Sequence, residues 1–250
     1  MLKQPTTILI TGASQGIGYA LALQLAAQGH TVLAWARDAQ RLAALAAQVT
    51  SASGQANIHT TVVDLADTGA LSAHVAALLA QHPALSGVIH NAAIQIEHAL
   101  GSPDYEPALV QQEIAINLTA PIVLTQLLLP HLQRQPCAFV CNISSVLALA
   151  SKRSSAVYCA TKAGLHGFSD SLRAQLAGTA VKVFEIMPPT VDTQMTAHRS
   201  VPKMSAATVA ALTVRAIRRE RALTLLGTAK LLGVLLWLAP PVAKRMMLRF

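Results

Sequence analysis

Residues 11–18 read TGASQGIG, and this stretch decides the fold of the 250-residue chain. It follows a short apolar run and opens a segment rich in Ala and Leu that has helical length. Small residues let the backbone turn tightly and approach a ligand, and the free N–H groups of a helix start bind anions. The stretch predicts a strand–turn–helix that binds nucleotide phosphates, with contacts from Gly12, Ser14, Gln15, Gly16, Ile17 and Gly18.

The rest of the chain repeats this alternation of short apolar runs and longer helical patterns. The runs do not alternate apolar and polar residues, so we expect strands buried on both faces, as in a parallel sheet between helices. Expected strands are Thr7–Ile10, Thr31–Ala36, Ile58–Val63, Ser86–His90, Ala138–Ile143, Val181–Ile186 and Leu223–Leu226. Expected helices are Ile17–Gln28, Asp38–Val49, Thr68–Gln81, Pro107–His131, Ser155–Ala177 and Ser205–Arg219. The predicted fold is α/β, a Rossmann-type doubly wound parallel sheet of about seven strands in a single domain.

Composition and charge narrow the class of protein. Apolar residues make up 53% of the chain and charged residues 12%, which excludes a disordered chain. The formal net charge of +8 fits a basic surface, an anionic ligand, a phosphate-rich cofactor or an anionic membrane face. Nucleic acid is not expected, because the densest basic cluster lacks interleaved aromatic residues. That cluster is Arg215, Arg218, Arg219 and Arg221.

Cysteine and histidine spacing predicts neither a disulfide framework nor a metal site. Cys137, Cys141 and Cys159 are odd in number and form no CxxC pair. The nine histidines show no metal-binding spacing, and we expect each at the surface or at a helix end. The apolar run near the N-terminus is too short for a signal peptide. The sequence therefore predicts a cytoplasmic protein, with a membrane-peripheral position as the alternative.

A second group of residues indicates proton transfer. Tyr158 and Lys162 are four residues apart, so they lie on one helix face. An ammonium beside a phenol favours the phenolate, and we expect it to lower the pKa of Tyr158. The phenol could then give a proton to a carbonyl oxygen or take one from an alcohol.

Together these residues resemble the short-chain dehydrogenase/reductase family from Thr6 to about Leu226, beginning with the TGxxxGxG spacing of the turn. Ser145, thirteen residues before Tyr158, matches the family's catalytic serine, which hydrogen-bonds the substrate oxygen; Ser144 is the alternative. Asn117 matches the family's helix asparagine, which holds a water in a proton relay. The resemblance implies a catalytic set of Asn117, Ser145, Tyr158 and Lys162.

The end of the second strand bears on the choice of cofactor. An acid there accepts hydrogen bonds from the ribose of NAD, whereas a basic residue pairs with the 2′-phosphate of NADP. Ala36 stands where NAD-preferring relatives carry the acid, and Arg37 follows it. The resemblance therefore implies NADP(H), with NAD(H) as the alternative because Asp38 is one residue away. A solvated loop charge is the other interpretation of Arg37.

Further cofactor contacts follow from family elements. Asp64 and Leu65 resemble an adenine-contacting pair, and Asn91-Ala92-Ala93 resembles an Asn-Ala-Gly element in which Ala93 departs from the pattern. Residues 188–193 read PPTVDT, where relatives carry Pro-Gly-x-Val-x-Thr, and proline in place of glycine stiffens the loop and removes one N–H. This variant resembles bacterial members associated with teichoic-acid D-alanylation gene clusters. The implied cofactor contacts are Pro188, Val191 and Thr193, besides Tyr158 and Lys162.

The function implied by the resemblance is hydride transfer between NADP(H) and a small-molecule carbonyl or alcohol, with Tyr158 as general acid and base. The alternatives are an idle dinucleotide-binding protein and a membrane-associated accessory protein. Relatives form dimers or tetramers through the helices of residues 107–131 and 155–177, so we expect a homodimer or homotetramer. We expect residues 192–204 to shape the substrate site, but their sequence does not indicate which substrate binds.

The domain is expected to span residues 1–227, and residues 228–250 form an apolar and basic extension of it. The apolar run of residues 231–239 is too short to span a bilayer. We expect a helix buried against the body of the protein or against a partner subunit. The alternative is a membrane-surface or acyl-substrate contact through Trp237 and the basic end.

Overall fold

The computed structural model describes residues 1–53 and 57–249. Strands and helices alternate along the chain as the sequence predicts. The strands are β1 (Thr7–Thr11), β2 (Thr31–Ala36), β3 (Ile58–Val62), β4 (Leu85–His90), β5 (Ala138–Ile143), β6 (Val181–Met187), β7 (Val191–Asp192), β8 (Met204–Ser205) and β9 (Leu223–Leu225). The helices are α1 (Gly16–Ala27), α2 (Ala39–Ser53), α3 (Leu71–Gln81), α4 (Pro107–Ile114), α5 (Ala120–Leu132), α6 (Ala156–Gln175), α7 (Ala206–Arg218), α8 (Ala229–Leu238) and α9 (Pro240–Met247).

Seven strands form one parallel sheet in the order β3-β2-β1-β4-β5-β6-β9. Strand order reverses between β1 and β4, and the carboxyl ends of strands at such a reversal border the usual ligand crevice of this architecture. One apolar core lies on each face of the sheet. The predicted Rossmann-type fold is confirmed. The sequence did not predict the small parallel pair of β7 and β8, which joins the two ends of the segment after β6.

Helix boundaries agree with the sequence to within a few residues where capping groups set them. Asp38 accepts a hydrogen bond from the backbone N–H of Arg41 at 3.0 Å, so it precedes α2 as a cap and does not belong to it. Ser205 accepts from the N–H of Thr208 at 3.1 Å, as expected for the start of α7. The third helix begins at Leu71, later than the predicted Thr68.

The expected single helix of residues 107–131 is interrupted. A π-helical turn, Ala115–Thr119, separates α4 from α5. Pro121 carries no N–H, so the carbonyl of Asn117 lacks the donor four residues on that an α-helix supplies. The whole run, Pro107–Leu132, is long and apolar enough to cross a membrane. Leu124 and Leu128 on it are fully buried against the sheet, which is the position of a core helix.

The C-terminal extension differs from its expected packing against the body. Within the described chain, α8 leaves Leu231, Trp237 and Leu238 exposed, with 82% of Trp237 accessible. It meets the body along a narrow line, where Gly233 lies against Leu225. One face of α8 therefore packs on the rest of the protein, and its larger apolar face does not.

Candidate active site

The phosphate-binding turn has the tight geometry that its residues predict. Gly12 and Gly16 have φ values of +67° and +58°, a left-handed conformation that favours glycine. A Cβ on Gly18 would lie 2.3 Å from the carbonyl oxygen of Gly12, and one on Gly12 would lie 2.8 Å from the Cα of Ala92. No side chain fits at these positions, so the turn packs closely against Asn91 and Ala92 at the start of α1.

Asn91 holds this turn in place. Its side-chain nitrogen donates to the carbonyl oxygens of Thr11 and Gly12 at 3.0 and 3.2 Å. The hydroxyl of Thr11 accepts from the backbone N–H groups of Asn91 and Ala92 at 3.0 and 3.1 Å. The predicted Asn-Ala element therefore ties the end of β4 to the turn after β1, across the point where the strand order reverses.

A cavity of about 720 Å³ opens along the carboxyl edge of the sheet. It runs from the phosphate-binding turn to the side chains of Tyr158 and Lys162, so it joins the two groups of residues identified in the sequence. Gly18, Asn117 and Ser145 lie outside its lining. The expected site residues that line it are Gly12, Ser14, Gln15, Gly16, Ile17, Arg37, Asp64, Leu65, Asn91, Ala92, Tyr158, Lys162, Pro188, Val191 and Thr193.

Tyr158 and Lys162 lie buried on one face of α6, as their spacing predicts. The Lys162 ammonium is 5.6 Å from the centre of the Tyr158 ring and donates to the carbonyl of Ile143 at 3.0 Å. Ser145 accepts from the N–H of Leu147 at 3.1 Å and lies beside the Tyr158 phenol. Ser144 lines the cavity, but its hydroxyl lies beside Glu185. The geometry therefore favours Ser145 as the partner of the tyrosine.

The expectation that Lys162 lowers the pKa of Tyr158 is wrong for this arrangement. Burial raises the pKa of Tyr158 above its usual value, and the charge of Arg199 and the neighbouring Ser145 side chain oppose this only in part. Burial lowers the pKa of Lys162 to about 8, and the Glu185 carboxylate opposes that shift. Desolvation outweighs the attraction between the two groups. The phenol is protonated at neutral pH and can act as a proton donor.

Asn117 lies in the π-helical turn and is completely buried. Its side chain accepts from the N–H of Ile94 at 2.9 Å and donates to the carbonyl of the same residue at 2.8 Å. It also donates to Thr161, which neighbours Lys162, at 3.3 Å. The side chain is thus fully engaged in fixing the loop after β4, and Pro121 leaves the Asn117 carbonyl without its α-helical donor.

The far end of the cavity combines two arginines and one aspartate. Arg37 is exposed on the cavity wall, directly after β2. Arg41, which the sequence analysis missed, forms an ion pair with Asp38 at 3.2 Å and hydrogen bonds with Gln15 and Gln194. Its position one turn into α2 is the signal that could have identified it. Asp38 is therefore engaged with Arg41 and with the start of its own helix.

Glu185 on β6 was not expected to bear on the site. Its carboxylate is fully buried and lies 2.8 Å from Nδ1 of His166, whose other nitrogen is 3.7 Å from Asp170. Burial raises the pKa of Glu185, and its charge acts on Lys162. The three ligand-type groups come together only in the fold, so sequence spacing could not reveal them. These three groups interact with one another, so we interpret them as structural groups that support Lys162.

The expectation that every histidine lies at the surface or at a helix end is also wrong. His30 and His90 are buried, and His90 bonds the Thr125 hydroxyl at 2.9 Å. Burial lowers the pKa of His90 to about 3, so the ring is neutral. All three cysteines are free thiols, with Cys141 and Cys159 buried.

Comparison with known proteins agrees with this geometry. The family model for short chain dehydrogenases matches residues 6–203. The chain belongs to the short-chain dehydrogenase family. It is 41% identical over 187 residues to the uncharacterized oxidoreductase DltE of Bacillus subtilis, covering 75% of this chain and 72% of that one. This match confirms the expected likeness to the D-alanylation-associated branch.

Solved structures show the same fold. A short-chain dehydrogenase from Burkholderia cenocepacia, solved with NADP, has a TM-score of 0.86 at 20% identity, with 99% of both chains covered. A short-chain dehydrogenase from Sphingobium yanoikuyae, solved with NADPH, has a TM-score of 0.81 at 27% identity, with 96% of this chain and 94% of that one covered. Family membership confirms the oxidoreductase class and the NAD(P)-binding Rossmann fold.

The residues at this site fit a nicotinamide dinucleotide on structural grounds alone. The glycine turn lines the cavity at the start of α1, and a helix N-terminus is a favourable place for a phosphate. Thr193, after β6, closes the cavity from the opposite side: its Cγ2 is 3.0 Å from the position that a Cβ on Gly16 would take. The cavity is therefore bounded on both sides by expected cofactor contacts.

Proposed function

We propose that the protein reduces carbonyl compounds with NADPH, or oxidises the corresponding alcohols with NADP⁺, using Tyr158 as the general acid and base. The observation that carries this proposal is the buried Tyr158 phenol, which lies beside Ser145 and one helical turn from Lys162, in the same cavity as the phosphate-binding turn. Its raised pKa keeps the proton available for a carbonyl oxygen at neutral pH. We propose Asn117, Ser145, Tyr158 and Lys162 as the catalytic set.

Each member of the set has a distinct task. Bound NADPH would supply the hydride. Ser145 and Tyr158 bind the substrate oxygen, and Tyr158 gives it a proton. Lys162 orients the phenol through the helix face that they share, and its pKa of about 8 lets it pass a proton on. We propose that the Asn117 carbonyl, which lacks its α-helical donor because of Pro121, holds a water that returns a proton from solvent.

The direct test is a screen of NADPH consumption over aldehydes, ketones and quinones. Turnover of members of one class supports the proposal, and an idle dinucleotide-binding protein would bind NADPH and turn over none of them. The free thiols are consistent with a reducing compartment, and we propose that the protein acts in the cytoplasm.

A closed symmetric oligomer is a further expectation. Helices α5 and α6 carry partly buried apolar side chains, including Leu127 and Phe168, and Gly167 of α6 is exposed with open space where a Cβ would stand. Two such faces can pack around a two-fold axis. We expect light scattering at micromolar concentration to give the mass of a dimer or a tetramer. A strictly monomeric mass would contradict this assembly.

A second candidate function rests on the exposed apolar face of the C-terminal helices. Leu231, Trp237 and Leu238 on α8 are exposed, and α9 adds the basic side chains of Lys244 and Arg245. Apolar and aromatic groups beside basic ones suit an anionic lipid surface. We propose a peripheral contact with such a membrane, which would make the protein a membrane-associated reductase.

Flotation with vesicles containing anionic phosphatidylglycerol tests this contact. We expect the full-length protein to float with these vesicles and the double substitution Leu231→Ser, Trp237→Ser to abolish flotation. Leu100→Ser is the matched control, because Leu100 is an exposed leucine on a distant loop. Wild-type protein that stays at the bottom of the gradient would exclude the membrane contact and leave a partner subunit as the occupant of this face.

A further inference from the structure

The mouth of the cavity holds a second cluster of charged side chains around Glu97, which lies in the loop after β4. Oε1 of Glu97 is 2.8 Å from Nζ of Lys152 and 2.5 Å from Nη2 of Arg199, and Oε2 is 3.0 Å from Nε2 of His198. Burial opposes ionisation of Glu97, but hydrogen bonds from Lys152 and His198 and the charge of Arg199 outweigh it and lower its pKa to about 2. The Glu97 carboxylate is therefore ionised at neutral pH, and its three partners hold it in place.

Two permanent cations share this one carboxylate, so the cluster carries a surplus positive charge. The buried carboxyl of Glu113 has partners outside this cluster: it accepts from the Tyr105 hydroxyl at 2.9 Å and from the N–H of Ile96 at 3.3 Å, and burial raises its pKa. An uncompensated charge at a partly buried cavity mouth attracts anions more strongly than the same charge in open solvent.

Arg199 brings this charge to the reacting end of the cavity. It lines the same wall as Tyr158, and its charge acts on the phenol. Its Nη2 is engaged by Glu97, and its Nε is buried. The side chain lines the cavity, so the part that a ligand can reach is Nη1, which has no hydrogen-bond partner among the described residues. A carboxylate is the acceptor that a guanidinium matches best.

We propose that Arg199 binds a carboxylate on the substrate, so that the preferred substrates are oxo acids whose carboxylate lies within reach of Arg199 when the carbonyl oxygen meets Tyr158. Glu97 and Lys152 are positioning residues that hold the guanidinium at the cavity wall. This inference rests on the proposed reductase function and names its substrate class. The reaction balance is that of the reductase: hydride from NADPH reaches the carbonyl carbon, and the proton from Tyr158 reaches the oxygen.

The test compares each acid with its own neutral ester. The substrates are 2-, 3- and 4-carboxybenzaldehyde and their methyl esters, which present the carboxylate at three distances from the carbonyl. For the best-placed isomer we expect kcat/KM of the acid to exceed that of the ester by about tenfold to a hundredfold, the range of one charge-assisted hydrogen-bonded pair. Equal values for acid and ester at all three positions would overturn the proposal.

Substitutions of Arg199 test whether this residue causes the preference for the acid over its ester. Arg199→Met keeps the approximate length of the side chain and removes its charge, so we expect the ratio of kcat/KM for the acid to that for the ester to fall to about one. Arg199→Lys keeps the charge without the planar fork and should retain part of the preference. Lys203→Met is the matched control, because Lys203 belongs to the same segment but bonds Ala197 outside the cavity lining. An acid preference that survives Arg199→Met would overturn the assignment.

Binding without turnover separates this inference from the proposed function. Isothermal titration of the NADPH complex with isophthalate and with neutral dimethyl isophthalate measures recognition of a carboxylate alone. Isophthalate binding that depends on Arg199, together with absent turnover, would support the anion site and contradict the reductase. Turnover of esters and acids alike, with no isophthalate binding, would support the reductase and overturn the anion site.

Discussion

Tyr158→Phe is expected to lower kcat for carbonyl reduction by roughly 10²- to 10⁴-fold, the usual contribution of a positioned general acid. The substitution removes the hydroxyl beside Ser145 and leaves the buried ring in place. The phosphate-binding turn and the Asn91 hydrogen bonds are untouched, so the Kd for NADPH should be nearly unchanged. Steady-state kinetics and isothermal titration on the same preparation measure both quantities.

Tyr19→Phe is the control for this experiment. Tyr19 lies on α1 and its hydroxyl bonds Gln48, away from the cavity. We expect wild-type turnover in the control. Wild-type turnover in Tyr158→Phe would show that the proton comes from another group, and loss of NADPH binding in that variant would show a structural effect of the substitution.

Arg37→Ala is expected to weaken NADPH by about ten- to a hundredfold and NADH much less. The guanidinium is exposed at the cavity end where a ribose 2′-phosphate would lie, and a charge-assisted contact there is worth about 1.5–3 kcal/mol. Ala36 offers no carboxylate for a ribose hydroxyl. Asp38 is paired with Arg41 and caps α2, so its charge does not act alone against the phosphate.

Isothermal titration of both cofactors measures the change. Ala36→Asp should move the preference toward NADH, since a new carboxylate repels the phosphate and accepts from the ribose. Arg134→Ala, at an exposed arginine after α5, is the matched control and should leave both Kd values unchanged. Tighter NADH binding by the wild type, or equal weakening of both cofactors in Arg37→Ala, would contradict the preference for NADP(H).

The fold and the cofactor turn could be predicted from the sequence because their signals are local. The apolar runs, the glycines at 12, 16 and 18 and the spacing of Tyr158 and Lys162 each report on neighbours within a few turns of chain. The π-helical turn was missed, although Pro121 carried its signal. A proline four residues after Asn117 removes the donor of an α-helical bond.

Other features depend on contacts between distant segments and had no local signal. Glu97, Lys152 and Arg199 come from three loops and meet only in the folded chain. Glu185 and His166 likewise meet across β6 and α6. The direction of the Tyr158 pKa was predicted wrongly, because sequence spacing reveals the neighbouring charge of Lys162 but not the depth of burial.

The most direct measurement of the central claim is the fate of deuterium from NADPH labelled at the nicotinamide C4, used with a reducible aldehyde and analysed by mass spectrometry of the alcohol. We predict that one of the two C4-labelled stereoisomers transfers its deuterium to the carbinol carbon, and that Tyr158→Phe forms almost no labelled alcohol while still binding NADPH. Loss of the label to solvent, or labelled alcohol at the wild-type rate in Tyr158→Phe, would contradict hydride transfer assisted by Tyr158.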